Sequence, residues 1–123
     1  CGYSLAGLFS LWAFHETGLF GGAVACSPSV WYPGWTEYAS ERRAPEGSYV
    51  YLSLGTKEER ARNPVMASVG DAIRSIRTAY GNDPNVSDVV LEMNPGNHFT
   101  DPTGRIARGM SWMLDRLTAD GNR

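Results

Sequence analysis

A serine between small residues, a carboxylate and a histidine occur in this sequence in an order that could make a hydroxyl nucleophilic. Ser4 lies in Gly2-Tyr3-Ser4-Leu5-Ala6, which has the form of a nucleophile elbow, a sharp turn from strand to helix that lifts the hydroxyl above a parallel sheet. Gly2 and Ala6 are small enough for strand and helix to approach closely. An apolar helix beginning at Leu5 would orient the hydroxyl with its N-terminus, and the Leu5 backbone N–H is placed to donate to an oxyanion. A serine hydroxyl also needs a base. Of the two histidines, His98 is the better candidate, because it lies in Asn94-Pro95-Gly96-Asn97-His98-Phe99, a turn directly after an expected strand and therefore at the same sheet edge as Ser4. His15, near the end of the first helix, is expected to favour the helix dipole or to face solvent.

The group that holds the imidazole should stand on a loop after another strand, between serine and histidine in sequence. Gly55-Thr56-Lys57-Glu58 offers that carboxylate. Glu58 is preferred and Glu59 is the runner-up, one residue of loop register separating them; the bland alternative is a solvated charged turn from Lys57 to Arg62. Trp31, Tyr32, Trp35 and Tyr38 follow a strand ending at Cys26, where they could line an acyl or aryl pocket or simply close a core. Arg42, Arg43, Arg60 and Arg62 could attract an anionic substrate, though a solvated surface explains them more plainly. Cys1 and Cys26 make neither a disulfide framework nor a metal-ligand cluster, so no metal or organic cofactor is implied. They read as buried thiols in a reducing compartment, which suggests the cytoplasm. Cys1 as an N-terminal nucleophile activated by its own amino group is a further alternative, but it is already accounted for as the end of the strand before Ser4.

The elements that would position these residues alternate. Leu5, Leu8, Phe9, Leu11, Trp12 and Phe14 cover most of a helix surface, as in a helix buried between a sheet and other elements, and Gly18 is a natural stop. Ala23 to Cys26 reads as a buried parallel strand, Ser29 to Gly47 as a loop with a short helix, and Tyr49 to Leu54 as the clearest strand. Asn63-Pro64 caps a helix carrying Met66, Val69, Ile73, Ile76 and Tyr80, which Gly81 closes. Val89 to Met93 is a strand, and Asp101-Pro102 opens a last helix whose inward stripe is expected to be Ile106, Met110, Met113, Leu114 and Leu117. Such alternation predicts an α/β fold with a parallel sheet and right-handed crossovers, one domain over residues 1–123.

Composition narrows the function classes. With 42% hydrophobic and 20% charged residues over 123 positions, the chain has enough apolar material for one core. A net charge of −2 and a pI near 5.6, with no basic run interleaved with aromatics, argue against a nucleic-acid binder. The apolar stretch from Leu5 to Phe14 is too short to span a bilayer. The strand needed before Ser4 is almost absent, which predicts the C-terminal portion of a larger sheet and an apolar edge that a second copy or a partner chain should cover.

Several segments together are more specific than the Ser4 motif alone. Gly2 to Phe9 with Leu11-Trp12-Ala13, Ser27-Pro28-Ser29-Val30-Trp31, Leu52 to Glu59 leading into Arg62-Asn63-Pro64-Val65-Met66, and Gly96-Asn97-His98-Phe99 resemble the α/β-hydrolase esterases that include esterase D and the ferric-siderophore trilactone esterases. The order Ser, Glu, His is also the α/β-hydrolase order. The resemblance runs over nearly the whole chain and implies a three-layer α/β-hydrolase-type sheet, of which this is the C-terminal portion. It further implies a serine esterase acting on a small-molecule ester through an acyl-enzyme, with Ser4 as nucleophile, His98 as base and acid, and Glu58 as its partner. Small acyl or aryl esters, a siderophore lactone, a thioester or an acyl transfer all fit such a triad. Two departures stand out. Ala6 replaces the family's usual glycine, and the first half, which supplies the central strands and a second oxyanion donor, is missing. Loss of one such donor costs about 100- to 1000-fold in rate, so a non-catalytic fragment acting only with a partner is the alternative.

Overall fold

The computed structural model describes residues 1–121. Among them, four strands form one all-parallel sheet in sequence order: β1 (Gly2–Tyr3), β2 (Gly22–Cys26), β3 (Ser48–Gly55) and β4 (Val86–Asn94). Tyr3 pairs with Cys26, Cys26 with Ser53, and Ser53 with Glu92, so the C-terminal ends of all four strands share one edge. The connections carry α1 (Leu5–Thr17), α2 (Trp35–Glu41), α3 (Pro64–Ala67) and α4 (Val69–Asn82), and α5 (Pro102–Gly121) follows β4. The α/β alternation expected from the sequence is therefore present.

A strand sends alternate side chains to opposite faces. Ala23, Ala25, Val50, Leu52 and Leu54 pack with Leu8, Leu11 and Phe14 of α1 and Ile73, Ile76 and Tyr80 of α4. Their neighbours Val24, Cys26, Tyr49 and Tyr51 pack with Met113 of α5 on the other face. Covered on both sides, β3 is buried along its whole length, as a central parallel strand should be. Burial of each Ile or Leu contributes about 1.5–3 kcal/mol. The Asn63 cap on α3, whose Oδ1 accepts the Val65 and Met66 N–H groups at 2.9 and 3.4 Å, contributes about 1 kcal/mol. Packing rather than capping therefore holds α4 on the sheet, while α3 buries none of its residues.

Three local expectations are corrected. The helix expected from Pro64 to Gly81 breaks at Ser68, whose hydroxyl donates back to the Val65 carbonyl at 2.5 Å, and resumes as α4; a serine bonding to its own backbone in this way competes with helix continuation. Met66 is exposed as a result. Of the expected stripe of α5 Met113 is buried, in line with Arg105 and Gly109, whereas Ile106 is only partly buried and Met110, Leu114 and Leu117 are exposed. Gly109 explains this rotation, since a Cβ there would stand 2.5 Å from Val24 Cγ1 and 2.8 Å from the Tyr51 ring. α5 turns its smallest residue to the sheet and gains a closer approach. On α1, Leu8, Leu11 and Phe14 are buried whereas Leu5, Phe9 and Trp12 are exposed, so this helix is covered on one side only. The bare stripes of α1 and α5 lie on opposite faces of the sheet, and both helices pack against β1, the strand at the end of the sheet order.

Candidate functional site

Ser4 is the turn residue between β1 and α1, with φ 60° and ψ −123°. This backbone region is sparsely populated by non-glycine residues and costs about 1–3 kcal/mol. Three hydrogen bonds hold it: the Ser4 N–H donates to the Cys26 carbonyl at 3.0 Å, and the Ser4 carbonyl accepts from Leu8 and Ser29 N–H at 3.1 Å each. Gly2 is required for the crossing, because a Cβ there would stand 2.2 Å from the Ala6 carbonyl oxygen. Leu5 opens α1, so its N–H belongs to the first turn, where amides lack intrahelical partners.

The loops after β3 and β4 are joined to each other. Thr56 N–H donates to the Asn94 carbonyl and Lys57 N–H to the Gly96 carbonyl, both at 2.8 Å. Asn97 shapes the following turn, its Oδ1 accepting the Phe99 N–H at 2.8 Å. His98 is thereby delivered between the strand ends, with Nε2 3.0 Å from Ser4 Oγ and Nδ1 2.7 Å from Glu58 Oε1. Glu58 stands on a short 3-10 turn, Glu58–Arg60, with 6% of its side chain exposed against 32% for His98. Its other oxygen, Oε2, accepts the Gly55 N–H at 2.6 Å and the Ser27 hydroxyl at 2.5 Å. A carboxylate so surrounded by donors acts as an acceptor; the proton between it and His98 belongs on Nδ1, and Nε2 is left to accept from the Ser4 hydroxyl. Glu59 is not brought to His98: its carboxylate pairs with Arg74 at 2.9 Å.

A cleft of about 230 Å³ opens beside Ser4 and His98, lined in part by Trp31, Met66, Val69 and Phe99. Of the four aromatics that could line a pocket or close a core, Trp31 lines this cleft. Tyr32 and Trp35 do not; they line a separate apolar groove with Leu5, Phe9 and Trp12. The reason is the turn at Gly34, with φ 79°, after which α2 carries Trp35 into the core, stacked on Tyr38 at 5.0 Å. Arg42 pairs with Glu16 at 3.3 Å and Arg43 with Asp83 at 3.4 Å, away from the cleft, and Arg60 and Arg62 are exposed. His15 departs from expectation: it is partly buried, stacked on Tyr80, with Nε2 2.9 Å from the Tyr80 hydroxyl. Burial pushes its pKa down. Both cysteines are free, but Cys1 is exposed rather than buried; burial raises the pKa of Cys26 and keeps it a thiol. Among the described residues, no group of three or more His, Cys, Asp or Glu side chains is placed to hold a metal ion, and no helix is long and apolar enough to cross a membrane.

Tyr3, Ser27 and Arg105 escape sequence-level selection yet stand behind the site. Arg105 is 1% exposed. Its Nε donates to Asn94 Oδ1 at 3.0 Å, Nη1 to the Tyr3 hydroxyl at 2.7 Å, and Nη2 to Ser27 Oγ at 2.5 Å and Ser53 Oγ at 3.2 Å. Tyr3 in turn donates to the His98 carbonyl at 2.6 Å, and burial raises its pKa, which keeps the phenol protonated for that role. The available signal was the i, i+4, i+8 spacing of Arg105, Gly109 and Met113, visible only once Gly109 is taken as the point of closest approach.

No protein-family model matches the chain, and no curated protein matches its sequence. Solved structures do share its fold. The siderophore hydrolase EstB from Aspergillus nidulans superposes with a TM-score of 0.72 at 21% identity, covering 89% of this chain and 45% of that one. The siderophore hydrolase EstA from the same organism gives 0.71 at 17% identity, covering 94% and 47%. This chain therefore has an α/β fold of the kind found in those hydrolases and spans less than half their length.

Proposed function

We propose that this chain is the serine-bearing, C-terminal portion of an ester hydrolase of the α/β-hydrolase type, with Ser4 as nucleophile on its elbow, His98 as general base and acid, and Glu58 as the carboxylate that orients His98. The observation that carries the proposal is the continuous hydrogen-bonded line from Ser4 Oγ through both His98 nitrogens to Glu58 Oε1. Ser4 Oγ attacks the ester carbonyl carbon as Nε2 takes the hydroxyl proton, and the developing oxyanion is met by the Leu5 N–H. Collapse breaks the C–O bond to the alcohol, which leaves with the proton from Nε2. Water then gives a proton to Nε2 and attacks the acyl carbon, releasing the acid and restoring Ser4. Trp31, Met66 and Phe99 give the cleft an apolar wall suited to the acyl or aryl part of a small ester or a siderophore-type ester. Two free cysteines suit a reducing compartment and support a cytoplasmic setting.

The test is a fluorophosphonate probe with the adduct located by peptide mass spectrometry. Labelling at Ser4 that disappears in Ser4→Ala is the expected result; a folded chain that does not label, or labels elsewhere, overturns the assignment.

A second reading has its own observation. Leu5, Phe9 and Trp12 on one face of the sheet, and Met110, Leu114 and Leu117 on the other, are exposed on the two helices that pack against the end strand β1. A strand end flanked by apolar surface on both faces favours a covering chain, either a second copy or a separate partner that extends the sheet. In that case the site would act only in the assembly. The 13.5 kDa chain would then run larger than a monomer by light scattering, and Phe9→Glu would return it to monomer. A strictly monomeric wild-type chain that unfolds cooperatively removes the self-association form of this reading.

A further inference from the structure

We propose that Arg105 is a positioning residue: a single buried guanidinium that orients both Glu58 and His98 through two intervening hydroxyls, those of Ser27 and Tyr3. The consequence for rate rests on the esterase proposal above; the geometric part does not.

A hydroxyl has one proton and must choose where to donate it. Arg105 has donors only, so each hydroxyl it touches must offer that side a lone pair and turn its proton elsewhere. Nη2 stands 2.5 Å from Ser27 Oγ, and the Ser27 proton goes to Glu58 Oε2. Nη1 stands 2.7 Å from the Tyr3 hydroxyl, and the Tyr3 proton goes to the His98 carbonyl. One relay therefore occupies Glu58 Oε2, leaving Oε1 for Nδ1, and the other anchors the His98 backbone. Nε and Nη2 also reach Asn94 at the end of β4 and Ser53 on β3, so the guanidinium bonds directly to side chains at the ends of all four strands. Its Nη1 is 3.8 Å from Glu58 Oε2, which gives the buried cation a counter-charge without a direct contact that would pull the carboxylate away from His98. A structural arginine would need only to be satisfied; this one satisfies itself through the two groups that face the acid and the base.

The test uses the low-field proton resonance of the His98 Nδ1–H, which reports its bond to the carboxylate whether or not Ser4 reacts. Wild type is expected to show it, and its absence there overturns the geometry. Arg105→Gln, with two donors in place of five, is expected to lose or shift the resonance and to slow probe labelling of Ser4 by about 10- to 100-fold, the usual cost of removing an orienting partner. Arg105→Lys should recover part of both. An unchanged resonance in folded Arg105→Gln overturns the proposal. Should Arg105→Gln fail to fold, Ser27→Ala, which keeps the guanidinium and breaks one relay, takes its place: a lost or shifted resonance supports the proposal and an unchanged one overturns it. A resonance that responds to these changes in a chain whose Ser4 never labels would keep the positioning role and remove the esterase.

Discussion

Glu58 meets His98 across the ends of neighbouring strands, Oε1 at 2.7 Å from Nδ1, although 40 positions separate them. Every other acceptor position of this carboxylate that the structure shows in use is filled by a donor: the Gly55 N–H and the Ser27 hydroxyl both bond to Oε2. Glu58→Gln must therefore set its amide N–H₂ against a donor on one side or the other. Labelling of Ser4 by a fluorophosphonate should slow by about 100- to 10,000-fold, and urea denaturation should report a loss of about 1–3 kcal/mol. Glu59→Gln, which loses only a half-exposed pair with Arg74, should leave the rate unchanged and cost about 0–1 kcal/mol.

Ser4 stores backbone strain at φ 60°. Ser4→Gly should relieve it, at the cost of a more flexible unfolded chain, for a net gain of about 1 kcal/mol in urea denaturation. The same substitution should abolish labelling. A destabilised Ser4→Gly would mean that the hydroxyl contributes more to stability than the turn costs.

Gly109 allows α5 to lie close to Val24 and Tyr51. Gly109→Ala should force the helix outward and destabilise the chain by about 1–3 kcal/mol. Since Arg105 is one helical turn away, Ser4 labelling should slow as well. A shift in denaturation midpoint with no change in labelling would separate helix seating from the site.

Two groups, the partly buried His15 and the buried Asp83, give stability a pH dependence in distinct windows. Burial holds the His15 pKa below its ordinary value of 6.5, and nearby Arg42 adds to this, against smaller opposing effects from the Arg43 backbone, Asp83 and Glu16. The unfolded chain therefore binds the proton first, and stability should fall as pH drops below about 6.5. His15→Gln should flatten that step in denaturation midpoint against pH. For Asp83, burial pushes the carboxyl up, but hydrogen bonds from the Ala44 and Asn85 N–H groups and from Arg43 outweigh it, leaving the pKa lowered from 3.8. Its contribution is present above that value and lost as pH falls below it. Asp83→Asn should remove this second, more acidic step.

Elements were readable in the sequence where local chemistry decides them. β3 is a run of β-branched and aromatic residues ending at Gly55, and Ser4, Glu58 and His98 each follow a strand, so their common edge could be inferred from alternation alone. The rotation of α5 could not, because the apolar residues Met110, Leu114 and Leu117 outnumber Met113, the one large apolar side chain on the line it shares with Arg105 and Gly109 facing the sheet. Helical periodicity assumes that inward means apolar. Here closest approach and a buried cation decide instead, and the apolar stripe is left uncovered. The position of Trp35 after the strand ending at Cys26 allows either a pocket or a core role, and one turn at Gly34 sends it to the core.

Ser4 lies at the start of the described chain, while Arg105 lies on its last helix. The Ser4–His98 contact spans 94 positions and the Arg105–Tyr3 contact 102, so both must form late, after three parallel crossovers have closed their loops. During synthesis, a chain released before α5 would already carry its serine, histidine and carboxylate, but not the cation that turns Ser27 and Tyr3 toward them. Labelling of Ser4 would then report the docking of α5, and a polypeptide without that helix would label more slowly.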